Sequence, residues 1–204
     1  MMGIRKFLLA GLAAAPAVLG WTGSGLPADL GQPALPPVFT QTSPPSFSRF
    51  EVRGGFLVST WGPETGEPNF NAEVILPKFY TLPGWQNYLI PRLQVGGVAN
   101  LAGGTSYAYL GPIWTVNYNR YFGEIFFGGA VHDGQVNGDR FDPKRNKLGC
   151  RVLYHVGANA GYQIDAHWSA MLTFDHISDG AGTLSDCKVN QGATVLGVRI
   201  GYTF

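Results

Sequence analysis

His176 and Ser178 stand two residues apart in the segment His167 to Asp179. A serine hydroxyl within reach of an imidazole is the minimal equipment for acyl transfer. The hydroxyl is a weak nucleophile until a base takes its proton, and an imidazole of pKa about 6.5 suits that task near neutral pH. In a strand, residues i and i+2 share a face with β-carbons roughly 6 to 7 Å apart, so a hydrogen bond between the two is geometrically open. Their face reads Trp168, Ala170, Leu172, Phe174, His176, Ser178, whereas the opposite face reads Ser169, Met171, Thr173, Asp175, Ile177. The pair therefore shares the more apolar side, the reverse of a soluble enzyme's water-filled cleft. Apolar outward and polar inward is the pattern of a barrel wall in lipid, where a desolvated polar pair is costly and marks function.

Other chemistries find no footing. There is no CxxC, HExxH, GxSxG or P-loop pattern, so metal, nucleotide and redox readings lack support and no metal or cofactor is implied. His132 and Asp133 end a strand and read as a solvated pair. His155 points inward among polar residues as a structural group, and His167 begins a strand at the far end from Ser178.

The elements that must position the pair follow from composition. Of 204 residues only 13% are charged, against about 25% in a typical soluble domain, while glycine (29 residues) and aromatics (13%) are abundant. After the first 30 residues no apolar run is long enough for a membrane helix. Arg5 and Lys6 followed by the apolar stretch from Phe7 to Gly20, with small residues to Ala28, give residues 1–28 the layout of a secretory signal peptide. Its removal takes the net charge from +1 to −1, and neither value suits nucleic acid as a partner. Residues 29–47 are rich in proline and read as an extended periplasmic lead-in. The remainder, 48–204, carries eight alternating segments, near 49–61, 69–77, 88–100, 105–120, 122–132, 149–163, 167–178 and 193–204.

These predict an all-β fold, an eight-stranded antiparallel outer-membrane β-barrel. Arg53, Glu73, Arg92, Arg151, Asp175 and Arg199 would point into a filled interior, and Tyr118, Tyr121, Tyr162, Trp168 and Tyr202 would form interfacial girdles. With both termini periplasmic, the loops near 133–148 and 179–192 lie on the cell-surface side. Cys150 and Cys187 then share that side, where they form either a disulfide or two buried thiols.

The stretch Phe174-Asp175-His176-Ile177-Ser178-Asp179-Gly180, then Asn190-Gln191-Gly192, then the ending Leu196-Gly197-Val198-Arg199-Ile200-Gly201-Tyr202-Thr203-Phe204 resembles the C-terminal motif of the lipid A 3-O-deacylase family, PagL-like proteins also called acyloxyacyl hydrolases. That motif reads approximately His-x-Ser-Asn, Asn-x-Gly and a final Gly-Tyr-x-Phe strand. Gly129-Ala130-Val131-His132-Asp133-Gly134 and the strand around Arg151-Val152-Leu153-Tyr154 are also similar. The resemblance implies an outer-membrane serine esterase of a Gram-negative bacterium, in contact with outer-membrane lipid, that removes an acyl chain from the lipid A of lipopolysaccharide. It implies Ser178 as nucleophile, His176 as base, Asn190 near the oxyanion and Tyr154 as an aromatic beside the pair, with a plain wall aromatic as the alternative for Tyr154.

The chain departs from the motif in three places. Asp179 replaces the Asn after the serine, and the loop to Asn190 is about four residues longer in a stretch that includes Cys187. The family's Glu four residues after that Asn falls at Thr194, which faces outward and carries no charge. The acid is therefore Asp179, Asp186, or missing with Thr194 in its place. A lost acid would leave a non-catalytic small barrel with a structural or surface-interaction role, which is the alternative reading.

Overall fold

The computed structural model of the chain describes residues 49–180, 187 and 191–204, so the expected signal segment and the proline-rich lead-in lie outside the described residues. Eight strands close a barrel: β1 (Glu51–Ser59), β2 (Pro68–Ile75), β3 (Arg92–Asn100), β4 (Tyr107–Tyr118), β5 (Tyr121–His132), β8 (Val152–Gln163), β9 (Trp168–Ser178) and β10 (Ala193–Thr203). Between β5 and β8, the short β6 (Gln135–Val136) and β7 (Lys147–Gly149) pair in parallel. Every wall pairing is antiparallel, and β1 closes on β10 from Glu51↔Thr203 to Ser59↔Val195, leaving the barrel wall no open edge.

Alternation holds around the wall. Phe56, Ile125, Leu172, Val198 and Ile200 face outward and are exposed, as an apolar belt must be. At the end opposite Ser178, Tyr121 meets Tyr162 with ring centroids 5.3 Å apart, and Tyr202 packs on Trp168 at 4.8 Å and on Phe204 at 5.1 Å. These are the expected girdle.

The interior is filled in layers. Toward the end that carries Ser178, Leu57, Tyr107, Leu148, Leu153, Ile177 and Val195 form an apolar plug. Below it, Asp175 joins Arg199 and lies 2.5 Å from His155 Nε2, and the His155 ring stacks on Tyr109 at 4.1 Å. Deeper still, Arg53 meets Glu124 at 2.7 Å and Glu51 at 2.7 Å, while Arg92 meets Glu51 at 2.8 Å. These charges are buried and paired, the condition on which a low-dielectric interior tolerates them.

Three expectations are corrected. Arg151 is exposed and donates to the carbonyls of His132 (2.9 Å) and Gly134 (3.4 Å); β8 begins only at Val152, so strand parity does not govern Arg151. His132 is buried, its Nε2 2.6 Å from the Cys150 carbonyl, because as the last residue of β5 it takes an inward position. Strand β3 starts at Arg92 and not at 88, since Gly84–Leu89 form a 3-10 turn and Pro91 has no N–H to give a ladder.

Candidate active site

The site is built on three adjacent strands at the barrel end that carries the 133–151 and 179–192 connections. β9 carries His176 and Ser178 on its outward face; both are half-buried, in line with the exposed Leu172 and Phe174. Register fixes the neighbours. Thr194 on β10 is directly opposite His176, and Tyr154 on β8 is directly opposite Ser178. Directly paired residues of an antiparallel ladder have β-carbons about 4.5–5.5 Å apart, close enough for short side chains to bond.

One such bond forms: His176 Nδ1 lies 2.8 Å from Thr194 Oγ1. A hydroxyl can donate or accept, so two arrangements satisfy this distance. When Nδ1–H donates to Thr194, the other ring nitrogen, Nε2, keeps its lone pair and can act as a base. When the Thr194 hydroxyl donates to Nδ1, Nε2 carries the proton and cannot. Ser178 Oγ accepts the Gly180 N–H at 3.4 Å, and among the described residues it makes no hydrogen bond to the imidazole. The two side chains are thus same-face neighbours that a rotation of the Ser178 hydroxymethyl group would have to bring together.

The remaining sequence candidates separate. Tyr154 stands on the outer wall with its ring 5.5 Å from Phe127. Asp179 is half-buried just past the end of β9 and has no hydrogen bond to His176 among the described residues. Asp186 and Asn190 lie outside the described residues.

Several contributors were not singled out in the sequence. Gly192, at φ +67°, packs against the imidazole so closely that a β-carbon there would sit 2.9 Å from His176 Cε1. Gln191 pins the end of the 179–192 loop by a reciprocal pair of bonds to Lys147, one of 2.9 Å through its N–H and one of 2.8 Å through its Oε1. Of the two states expected for Cys150 and Cys187 they take the disulfide; the contact not foreseen there is from Asn137, whose Nδ2 donates to the Cys187 carbonyl at 2.8 Å. Buried Glu64 ties three loops together: its carboxylate accepts the Thr105 N–H (3.0 Å), the Thr105 hydroxyl (2.7 Å) and the Asn146 N–H (2.9 Å). The local signal for Gly192 was its place in the Asn190-Gln191-Gly192 stretch; Glu64, in a 3-10 turn, carried none.

The family model described as lipid A 3-O-deacylase (PagL) matches residues 54–203. No curated protein matches the chain. Among solved structures, that of the outer membrane enzyme PagL aligns with a TM-score of 0.54 at 16% identity, covering 74% of this chain and 97% of that one. The N-terminal β-barrel domain of Pseudomonas aeruginosa OprF aligns with a TM-score of 0.51 at 11% identity, covering 77% and 98%. At these identities both alignments are likenesses of fold.

Proposed function

Because this chain belongs to the lipid A 3-O-deacylase (PagL) family, we propose that it is an outer-membrane serine esterase that hydrolyses the ester holding an acyl chain at the 3 position of lipid A. Ser178 Oγ attacks the ester carbonyl carbon while His176 Nε2 takes its proton. The resulting imidazolium then protonates the departing sugar oxygen, leaving an acyl-enzyme. Water, deprotonated by the same imidazole, releases the fatty acid and restores Ser178. The Asn190 side-chain amide is a donor of the right chemistry for the oxyanion. Thr194 accepts the Nδ1–H and so holds the ring in the tautomer whose Nε2 is basic.

The single observation that carries this reading is the His176–Thr194 bond on the lipid-facing wall, with Ser178 one outward position further along β9. The location suits the substrate, whose ester linkages lie between headgroup and acyl chains. A groove of about 660 Å³ on the same wall, toward the periplasmic end, is lined by Ala160, Ala170, Leu172 and Val198 and offers apolar surface to a chain. In this reading Tyr154, paired with Ser178 in the ladder, flanks the substrate.

Mass spectrometry of lipid A from cells with and without the protein tests the reading. A lipid A lighter by one hydroxyacyl group is expected with the parent chain, and none with Ser178→Ala or His176→Ala, both of which should still assemble as heat-modifiable barrels. Deacylation by purified Ser178→Ala at the parent rate would overturn the nucleophile assignment.

Thr194 also favours a second reading. Among the described residues no carboxylate reaches the imidazole, as befits a barrel that has kept the fold and lost the chemistry. Unaltered lipid A, in cells shown to hold the folded parent chain, would establish that reading.

A further inference from the structure

The connection between β2 and β3, residues 76–91, is far longer than the other two at the same end of the barrel, residues 119–120 and 164–167. A hairpin needs only about two to five residues to turn, so most of this segment does something other than connect strands. It is ordered around Asn87, whose side chain accepts the Leu82 N–H (3.3 Å) and whose carbonyl accepts the Ile90 N–H (3.4 Å) and the Lys78 ammonium. Yet its large apolar side chains are turned away from the protein: Phe79 is 81% exposed, Trp85 70%, Tyr80 63% and Leu89 60%. An apolar surface of this kind marks a place where something other than water belongs.

Its position names the occupant. Trp114 projects from the outward face of β4, between the exposed Leu110 and Val116, and its indole N–H donates to the Leu89 carbonyl at 3.0 Å. The Leu89 end of the segment therefore lies against the outward face of β4, beside the apolar belt. Charge agrees, because between Glu73 and Glu124 there is no Asp or Glu, and residues 76–91 carry one basic group, Lys78. Aromatic rings with a polar edge, a lysine and no carboxylate match the boundary between acyl chains and anionic headgroups.

We propose that residues 76–91 form an interfacial anchor that embeds Phe79, Tyr80, Trp85 and Leu89 in the phospholipid leaflet on the periplasmic side of the membrane. It holds the barrel at fixed depth and tilt by gripping one side of the wall. Its place is the periplasmic end of β2–β4, whereas His176 and Ser178 stand at the cell-surface rim on β9, so the anchor is independent of the catalytic reading.

The test uses the full chain folded into vesicles of phosphatidylcholine with phosphatidylglycerol, in which the acyl chains are brominated near the glycerol end. The fluorescence lost on Trp85→Phe isolates the Trp85 signal, with heat-modifiable migration as the check on folding. That signal should be quenched by the brominated lipid and shielded from aqueous iodide. Phe79→Trp, which adds a new indole at the most exposed of these positions, should show the same pattern. Quenching by iodide with no response to brominated lipid, at either position, would overturn the anchor and leave a water-exposed patch for a soluble periplasmic protein.

Discussion

Replacing Thr194 by Glu should make this barrel a faster esterase. The threonine hydroxyl already sits 2.8 Å from His176 Nδ1, so the substitution puts a carboxylate, on a longer and flexible side chain, at the position that already partners the imidazole. Two effects act together. A carboxylate can only accept, which forces the proton onto Nδ1 and leaves Nε2 basic, whereas the hydroxyl permits both arrangements. A carboxylate would also stabilise the imidazolium that the proposed attack by Ser178 forms, which a neutral hydroxyl does weakly. A neutral hydrogen bond contributes about 1 kcal/mol and one to a charged group about 1.5–3 kcal/mol. The difference of about 0.5–2 kcal/mol corresponds to about 2- to 30-fold in kcat. Half-burial of His176 screens part of it and places the expectation in the lower half of that range. The assay is fatty-acid release from purified lipid A in detergent micelles, with Thr194→Val as the opposite arm; the valine keeps the shape, removes the acceptor and should lower kcat. Equal rates for parent, Glu and Val proteins, all shown to be folded, would refute the argument that the Nδ1 partner controls the base.

Gly192→Ala should lower kcat by about tenfold to a hundredfold, since a ring displaced by a fraction of an ångström to an ångström loses its alignment; the added methyl meets His176 Cε1 at 2.9 Å on a backbone at φ +67°, and unchanged kinetics would show that the ring has room to spare. Reduction of the Cys150–Cys187 disulfide should depress activity more than it lowers the barrel's unfolding midpoint, because the bond tethers the loop ending in Gln191 and Gly192 and not the wall; alkylation of both thiols in unreduced protein would remove the premise. Arg199→Met should destabilise the barrel by about 3–5 kcal/mol in urea titrations, because it strands the buried Asp175 carboxylate with one partner fewer; a shift under about 1 kcal/mol would mean that the interior repacks or admits water.

The barrel was legible because alternation survives every strand: Phe56 and Val58 outward against Arg53 and Ser59 inward needs no tertiary knowledge to read. The outward placing of Thr194 was legible for the same reason, but its partner was not: counting inward from a loop at 179–192 sets Thr194 against Ile177, whereas the ladder is shifted by one and pairs it with His176. Errors fell where periodicity stops. Tyr88 and Leu89 look like the start of a strand, but their apolar character serves a 3-10 turn ahead of Pro91. Arg151 has the parity of an inward residue in a strand that has not yet begun. Glu124 was overlooked although it closes the deepest ion-pair layer with Arg53, because a lone carboxylate among Gly123, Ile125 and Phe126 says nothing of its partner. The loop bonds of Glu64 and Gln191 join residues far apart in sequence, and no local pattern encodes them.

The two faces of each strand have consequences for how such a protein changes over generations. Odd-numbered positions of β9 and β10, among them Asp175, Val195 and Arg199, hold the barrel closed, while the even-numbered His176, Ser178 and Thr194 face the membrane and pack no core. In enzymes whose active sites line their cores, a lost catalytic group is usually entangled with stability. Here a chain can trade a glutamate for a threonine and leave the scaffold untouched, so drift and repair of the chemistry are both within reach of single substitutions. A folded barrel of this architecture is therefore a poor witness to activity, and the residue opposite the histidine is the place to look.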